Sequence, residues 1–193
     1  MRAAAWLVCL ALVHLSQGGT SVGATATTPV RELGQMVAPV APVELTTRPV
    51  TVRVAIRPDA LQYIQTALSS TSKSKLILTV EGITFDKTPE GHYEVYLNLP
   101  AGEQPSYKSA YFIGNLSFFG LEAARAHQGR ADVTFDITRA IGTLKSAKSW
   151  NDAALSVTFI MRWLVDRSGR DLPVPSGVRA RFSNVTFAAI PTR

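Results

Sequence analysis

The apolar residues that follow Pro49 recur with a period of two. Between Val50 and Ile56 they occupy every second position, and the residues between them are Thr51, Arg53 and Ala55. The same alternation returns in three later segments, Tyr93–Leu99, Val133–Ile137 and Leu155–Trp163. Because successive side chains of a strand point to opposite faces, this period predicts strands with one face in the core.

Three other segments predict strands of different kinds. Leu76–Ile83 is almost continuously apolar, as expected of a strand that is covered on both faces. Tyr111–Phe119 is rich in aromatic residues. In Val178–Ile190 the apolar phase changes part-way along, which predicts a bulge near Ser183.

Only two short segments favour helix. Ala60–Leu68 follows Asp59, and Thr138–Leu144 follows Asp136; aspartate is a residue type that caps helix N-termini. A doubly wound fold would need long amphipathic helices between its strands, and the sequence contains none. The sequence therefore predicts an all-β fold, an antiparallel β-sandwich or jelly-roll-like domain with about seven strands and one or two short helices.

The N-terminus has the order of a secretory signal peptide. Arg2 is followed by the apolar run Ala3–Leu15 and then by the small residues of Ser16–Ala26. The run is shorter than the roughly 20 residues that a membrane-spanning helix needs, and an uncleaved anchor is the alternative. We expect a signal peptide at 1–24, an extended proline-containing leader at 25–48 and a single domain at 49–193. We also expect export to the periplasm or the extracellular space, with no membrane span after cleavage.

Removal of the signal peptide would remove Cys9, the one cysteine of the chain. The mature protein would then have no disulfide and no thiolate nucleophile. Its core alone must hold it together, and a chain of this length is large enough for that.

The charge is unevenly distributed along the chain. Thr20–Thr138 has ten basic and eleven acidic residues, whereas Arg139–Arg193 has nine basic and three acidic residues. The basic C-terminal part is either a contact surface for an acidic partner or a solvated face of a basic protein. Basic residues interleaved with stacking aromatics are missing, which argues against nucleic-acid binding.

The sequence contains no common catalytic motif. A nucleophile elbow, a zincin helix and a phosphate-binding glycine loop are all missing. Asp132 and Asp136 would stand about 13 Å apart on one strand face, farther than the about 5 to 9.5 Å of a glycosidase pair. His92, predicted in a turn, and His127, predicted in a loop, are the two histidines beyond the signal peptide. We therefore predict no enzymatic activity, no metal site and no cofactor.

Several stretches, taken in order, resemble the C-terminal domain of the tyrosinase and polyphenol oxidase family. Glu32–Val37 is similar to the segment that leads out of the catalytic domain, and Leu78–Ile83 and His92–Asn98 are similar to the first core strands. Tyr111–Gly120 resembles the glycine-bearing strand of that domain, and Phe135–Thr138 resembles the strand end and helix cap that follow. In the family this domain is non-catalytic and trails the domain that holds copper, whereas here the predicted signal peptide leads straight into it.

The resemblance implies an accessory role and not an oxidase. Tyrosinases hold two copper ions with six imidazoles, and this chain has too few histidines for such a site. In the family the C-terminal domain packs over the entrance of the copper site, and one of its side chains can occupy the substrate position. The resemblance thus implies docking on a separately encoded, tyrosinase-type dinuclear copper protein, as a shield, a maturation partner or a structural subunit.

Three aromatic residues are the candidates for contact with such a partner: Tyr107, Tyr111 and Phe119. A phenol pocket is an apolar cavity that accepts rings. We expect Tyr107 to be exposed and Tyr111 and Phe119 to belong to the core. The alternative function is an exported module that binds a glycan or a cell-envelope component, with Trp150 and Trp163 as the tryptophans available for a row of exposed rings.

Overall fold

The computed structural model describes residues 30–37, 41–69, 71–89, 91–121, 123, 131–163 and 179–192. Within these ranges the chain forms ten strands and two helices, and the all-β prediction is confirmed. The elements are β1 (Arg31–Met36), β2 (Val43–Leu45), β3 (Val50–Ile56), α1 (Ala60–Leu68), β4 (Ser74–Phe85), β5 (His92–Leu97), β6 (Phe112–Ser117), β7 (Ala131–Asp136), α2 (Thr138–Ser146), β8 (Ala154–Arg162), β9 (Ala180–Phe182) and β10 (Asn184–Pro191). Neither helix of the described part is long and apolar enough to cross a membrane.

The strands pair antiparallel throughout, in the order β2-β9-β4-β10-β1-β3-β8-β5-β6. β4 also pairs with β7 along its other edge. β6, at one end of this path, also approaches β7, because Gly114 on β6 lies against the ring of Phe135 on β7. A Cβ added at Gly114 would lie 2.9 Å from Cδ1 of Phe135, so glycine is needed for this close approach. The sheet therefore curls into two layers around one core.

The core is built from the inward side chains of both layers. Its largest fully buried rings include Phe118, Phe159, Phe182 and Phe187. The rings of Phe159 on β8 and Phe182 on β9 have centroids 5.1 Å apart, which joins strands from distant parts of the path. Each ring removed from water contributes about 1.5 to 3 kcal/mol, so burial of the strand faces is the main source of stability.

The predicted leader at 25–48 needs a correction, because part of it belongs to the sheet. Residues Arg31–Met36 form β1, which lies between β10 and β3, with Leu33 and Met36 buried. β2 extends the sheet at β9. These two strands, together with the division of the last predicted strand into β9 and β10, raise the count from seven to ten. The domain therefore begins before residue 49. The predicted signal peptide at 1–24 lies outside the described residues.

The irregularity predicted near Ser183 in the last strand is confirmed. Ala180 and Phe182 are buried before Ser183, and Val185 and Phe187 are buried after it, so the inward phase changes at Ser183. The backbone amide of Ser183 still donates to the carbonyl of Glu81, at 2.9 Å. The chain thus crosses from one layer to the other without losing its pairing with β4.

Two other predictions were wrong in detail. Burial on both faces occurs in β5, where every residue from Tyr93 to Leu97 is buried, and not in β4, where one face is only half-buried. Asp59 makes no side-chain bond to the start of α1. Its carboxylate instead pairs with the guanidinium groups of Arg31 and Arg57, which outcompete the neutral backbone amides. In contrast, the Asp136 carboxylate does accept from the amide of Thr138 at the start of α2, at 3.2 Å.

Candidate partner-binding surface

The most exposed large apolar side chain of the described residues is Phe119, at 95%. It lies in a tight turn directly after β6, in which the amide of Leu121 donates to the carbonyl of Phe118 at 3.2 Å. Gly120 follows it with a φ of +79°, the conformation that the third position of a type II turn requires. The prediction that Phe119 belongs to the core was wrong, because the turn leaves its side chain almost fully exposed to solvent.

The turn that carries Phe119 is firmly anchored by its neighbour. The side chain of Phe118 is 1% exposed, and its ring meets those of Phe85 and Tyr93 edge to face, with centroids 5.6 and 6.0 Å away. The amide of Phe119 donates to Oγ of Ser117, at 3.3 Å. The exposed ring is therefore presented by a backbone that is fixed in place.

The other two candidate residues lie toward the opposite end of β6. Tyr107 precedes this strand and is 65% exposed, which confirms the predicted exposure. Tyr111 is half-buried and packs against the core, as predicted. The six residues of β6 alone span about 20 Å, so Tyr107 and Phe119 cannot enter one pocket together. The structure thus separates the predicted site into two distinct aromatic positions.

A polar network that sequence reasoning missed lies on the outer face of β5 and β8. Glu94 is 9% exposed, and its Oε2 accepts a bond from the hydroxyl of Tyr96 and another from Nε of Arg162, each at 2.7 Å. Burial and the bond to Glu94 raise the pKa of Tyr96 to about 12. The network arises because β5 pairs with β8 and brings together residues that are 68 positions apart. Oε2 of Glu94 is thus held from two sides, by Tyr96 on the same strand and by Arg162 on the neighbouring one.

Asp132 and Asp136, which were considered as a catalytic pair, each bind a group of the neighbouring strand β4. Oδ1 of Asp132 accepts from the amide of Gly82, at 2.9 Å. Asp136 pairs with Nζ of Lys75, at 2.9 Å. Partial burial opposes the shift, but the bonds from Lys75 and Thr138 outweigh it and hold the pKa of Asp136 below its usual value. Both carboxylates therefore stabilise the ends of β4 and β7.

The histidines form no metal centre within the described ranges. His92 is the first residue of β5, paired with Ser117 and Arg162, so the predicted turn at this position was wrong. His127 lies outside the described residues. No group of three or more histidine, cysteine, aspartate or glutamate side chains in the described ranges is placed to hold a metal ion.

Trp150 and Trp163, the tryptophans considered for glycan binding, are both half-buried. Nε1 of Trp150 donates to Asp152 at 2.6 Å, and Nζ of Lys145 lies 5.6 Å from its ring centroid. Trp163 packs against Gly91, where an added Cβ would lie 2.8 Å from the indole. Neither ring offers the flat exposed face on which a sugar stacks.

Comparison with known proteins gives a family by sequence. A family model described as a domain of unknown function, DUF7868, matches residues 34–170, which is more than half of the chain. The chain belongs to the DUF7868 family. The DUF7868 match begins within β1 and includes both the Phe119 turn and the Glu94 network. No curated protein matches the sequence significantly.

Among solved structures, the DUF7868 chain is similar to polyphenol oxidases at low identity. Recombinantly expressed latent aurone synthase (polyphenol oxidase) matches with 13% identity and a TM-score of 0.47, over 84% of this chain and 29% of that one. Latent aurone synthase (polyphenol oxidase) from natural source matches with 14% identity and a TM-score of 0.44, over 79% and 26%. The chain spans less than a third of the length of those proteins, so their oxidase activity is not assigned to this chain.

Proposed function

We propose that this chain is a non-catalytic accessory domain that docks on a tyrosinase-type copper oxidase and covers the entrance to its substrate pocket. Two independent lines support the proposal. The ordered stretches from Glu32 to Thr138 resemble the C-terminal domain of that family. In addition, the described residues include one nearly fully exposed phenyl ring, that of Phe119, on an anchored turn.

The exposure of Phe119 is the observation that carries the proposal. An aromatic ring at the centre of an interface commonly contributes more than 2 kcal/mol to binding. Moving a phenyl ring from water into an apolar pocket yields about 1.5 to 3 kcal/mol. Because Phe118 and Gly120 already fix the turn, little conformational entropy is lost when the ring inserts. A pocket that accepts a phenol ring would also accept this one and would then be closed to substrate.

The compartment follows from the N-terminal prediction. A signal peptide at 1–24 would export the chain to the periplasm or the extracellular space, where it would meet an exported oxidase. N-terminal sequencing of the protein from its native source tests this step: a first residue of Thr20, Thr25 or Thr27 supports it, and an intact Met1 contradicts it.

An inhibition assay tests the proposed function. The mature chain is titrated into a tyrosinase-type oxidase from the same organism while catechol oxidation is followed. We expect saturable inhibition by the wild type, and an inhibition constant raised about 10- to 100-fold by Phe119→Ala, the equivalent of the ring's transfer free energy.

Tyr107→Ala is the matched control, because it removes the other exposed candidate ring, 65% exposed, at the other end of β6. Its inhibition constant should stay within about twofold of the wild-type value. Failure of the wild type to inhibit would contradict docking at the pocket, and equal effects of the two substitutions would remove Phe119 from the interface.

A further inference from the structure

A polar cleft lies between the segment that leads into β6 and the first turns of α2. Its volume is about 480 Å³, within the size range of small-ligand sites. One wall is formed by residues of 107–113 and the other by Asp136, Arg139, Ala140 and Thr143. The cleft is at the opposite end of β6 from the Phe119 turn, so it is separate from the proposed docking position.

The cleft has an excess of positive charge. Lys108 and Arg139 both line it, and neither is within salt-bridge distance of a carboxylate in the described part of the chain. Asp136 is the acidic residue of the wall, but its carboxylate is already bound by Nζ of Lys75 at 2.9 Å and by the hydroxyl of Thr138 at 2.8 Å. Two cations therefore line a small cleft whose acidic residue, Asp136, is already paired with other groups, and this excess of positive charge favours an anionic ligand.

The same cleft presents aromatic and apolar surface beside these cations. The ring of Tyr107 is 65% exposed, and Nζ of Lys108 lies 5.6 Å from its centroid. Phe112 and Ile113 are half-buried at the start of β6 and line the cleft as well. The hydroxyl of Ser109, in the same wall, has no hydrogen-bond partner among the described residues. A ligand that combines a flat ring with a negative group matches this arrangement.

We propose that this cleft binds a small aromatic carboxylate. The carboxylate lies between the ammonium of Lys108 and the guanidinium of Arg139, whose planar donors suit its two oxygens. The ring packs on Tyr107 and on the apolar wall formed by Phe112 and Ile113. Neither half of the ligand suffices alone, because the cations are exposed to water and the apolar wall is small.

Four probes separate the contributions of charge and ring. ¹H–¹⁵N spectra of the full mature chain are recorded during titration with 2-naphthoate, benzoate, acetate and benzylammonium. We expect saturable shifts at Lys108, Ser109 and Arg139 with the two aromatic carboxylates, tighter for 2-naphthoate. Acetate and benzylammonium should bind at least tenfold more weakly, since each lacks one half of the recognised chemistry.

Substitutions then assign the site. Lys108→Gln and Arg139→Gln should each raise the dissociation constant of 2-naphthoate about tenfold, the effect of losing one hydrogen bond to a charged group. Lys87→Gln, which removes an exposed cation far from the cleft in sequence, should leave it unchanged. Phe119→Ala should also leave the dissociation constant of 2-naphthoate unchanged. The cleft proposal and the docking proposal can therefore be refuted separately.

Two results would overturn the proposal. One is equal shifts with benzylammonium and benzoate, which would show that charge plays no part. The other is an unchanged dissociation constant in both Lys108→Gln and Arg139→Gln while the spectra of these variants stay well dispersed.

Discussion

Replacing Glu94 by glutamine tests how much the network on β5 and β8 contributes to stability. The substitution keeps the volume of the side chain and removes its negative charge. In the wild type, Oε2 of Glu94 accepts bonds from Tyr96 and Arg162, both at 2.7 Å. The two donors lose different amounts of stabilisation, because the Tyr96 side chain is buried and the Arg162 side chain is partly exposed.

The expected loss of stability is about 2 kcal/mol. A hydrogen bond to a charged group contributes about 1.5 to 3 kcal/mol, against about 0.5 to 1.5 kcal/mol for a neutral pair, so the bond from the fully buried Tyr96 weakens by about 1 to 1.5 kcal/mol when its acceptor becomes an amide oxygen. The Arg162 side chain is 42% exposed, so water replaces much of what it loses and its share is about 0 to 1 kcal/mol. For a domain of this size, the sum corresponds to a fall in Tm of about 4 to 8 °C.

Equilibrium unfolding in urea, followed by tryptophan fluorescence, measures the effect. Glu103→Gln is the control, because this glutamate is exposed and its loss should change the free energy of unfolding by less than about 0.5 kcal/mol. Tyr96→Phe should cost less in the Glu94→Gln background than in the wild type, because the two residues share one bond. A change of less than about 0.5 kcal/mol in Glu94→Gln would refute the assignment of the network as stabilising.

Three further predictions follow from the structure. Burial raises the pKa of Tyr93 and of Tyr96 to about 12. The unfolded chain therefore loses these protons first, and the free energy of unfolding should fall as the pH rises from about 10 to 12; a flat profile in urea titrations across this range would contradict it. Phe118→Ala should lower the free energy of unfolding by about 3 to 5 kcal/mol in the same assay, whereas Phe119→Ala should lower it by less than about 0.5 kcal/mol. Equal losses in the two variants would show that Phe118 does not anchor the turn. At Gly114, where φ is +151°, an added Cβ would lie 2.9 Å from the ring of Phe135. Gly114→Ala should therefore lower the free energy of unfolding by about 1 to 3 kcal/mol. An unfolding midpoint equal to that of the wild type would show that β6 and β7 do not approach closely there.

The sequence was sufficient for the elements whose pattern is local. β3 and β8 carry clean alternation over seven and nine residues, and each lies where the period predicted it. The phase change at Ser183 was also visible, because a strand that crosses between layers must turn its other face inward. In each case the order of neighbouring residues is enough to show which face of the strand is buried.

The features that were missed depend on distant partners. β1 has six residues with prolines nearby in the sequence, and it becomes a central strand only because β10 and β3 flank it. The bond between Glu94 and Arg162 needs the pairing of β5 with β8. Phe119 is a different case: Leu116 and Phe118 already point inward, so the next position points outward, and that signal was present in the sequence.

A photo-crosslinking measurement tests docking through the Phe119 turn most directly. The mature chain carries benzoylphenylalanine at position 119 and, in a second sample, at position 107, and each is irradiated with the copper oxidase of the same organism. We predict a covalent product from position 119, with the crosslinked peptide beside the copper-ligating histidines and a catechol oxidation rate that falls in proportion to crosslinking. A product from position 107 alone, or an oxidase that is crosslinked at 119 and keeps its full rate, would contradict the account.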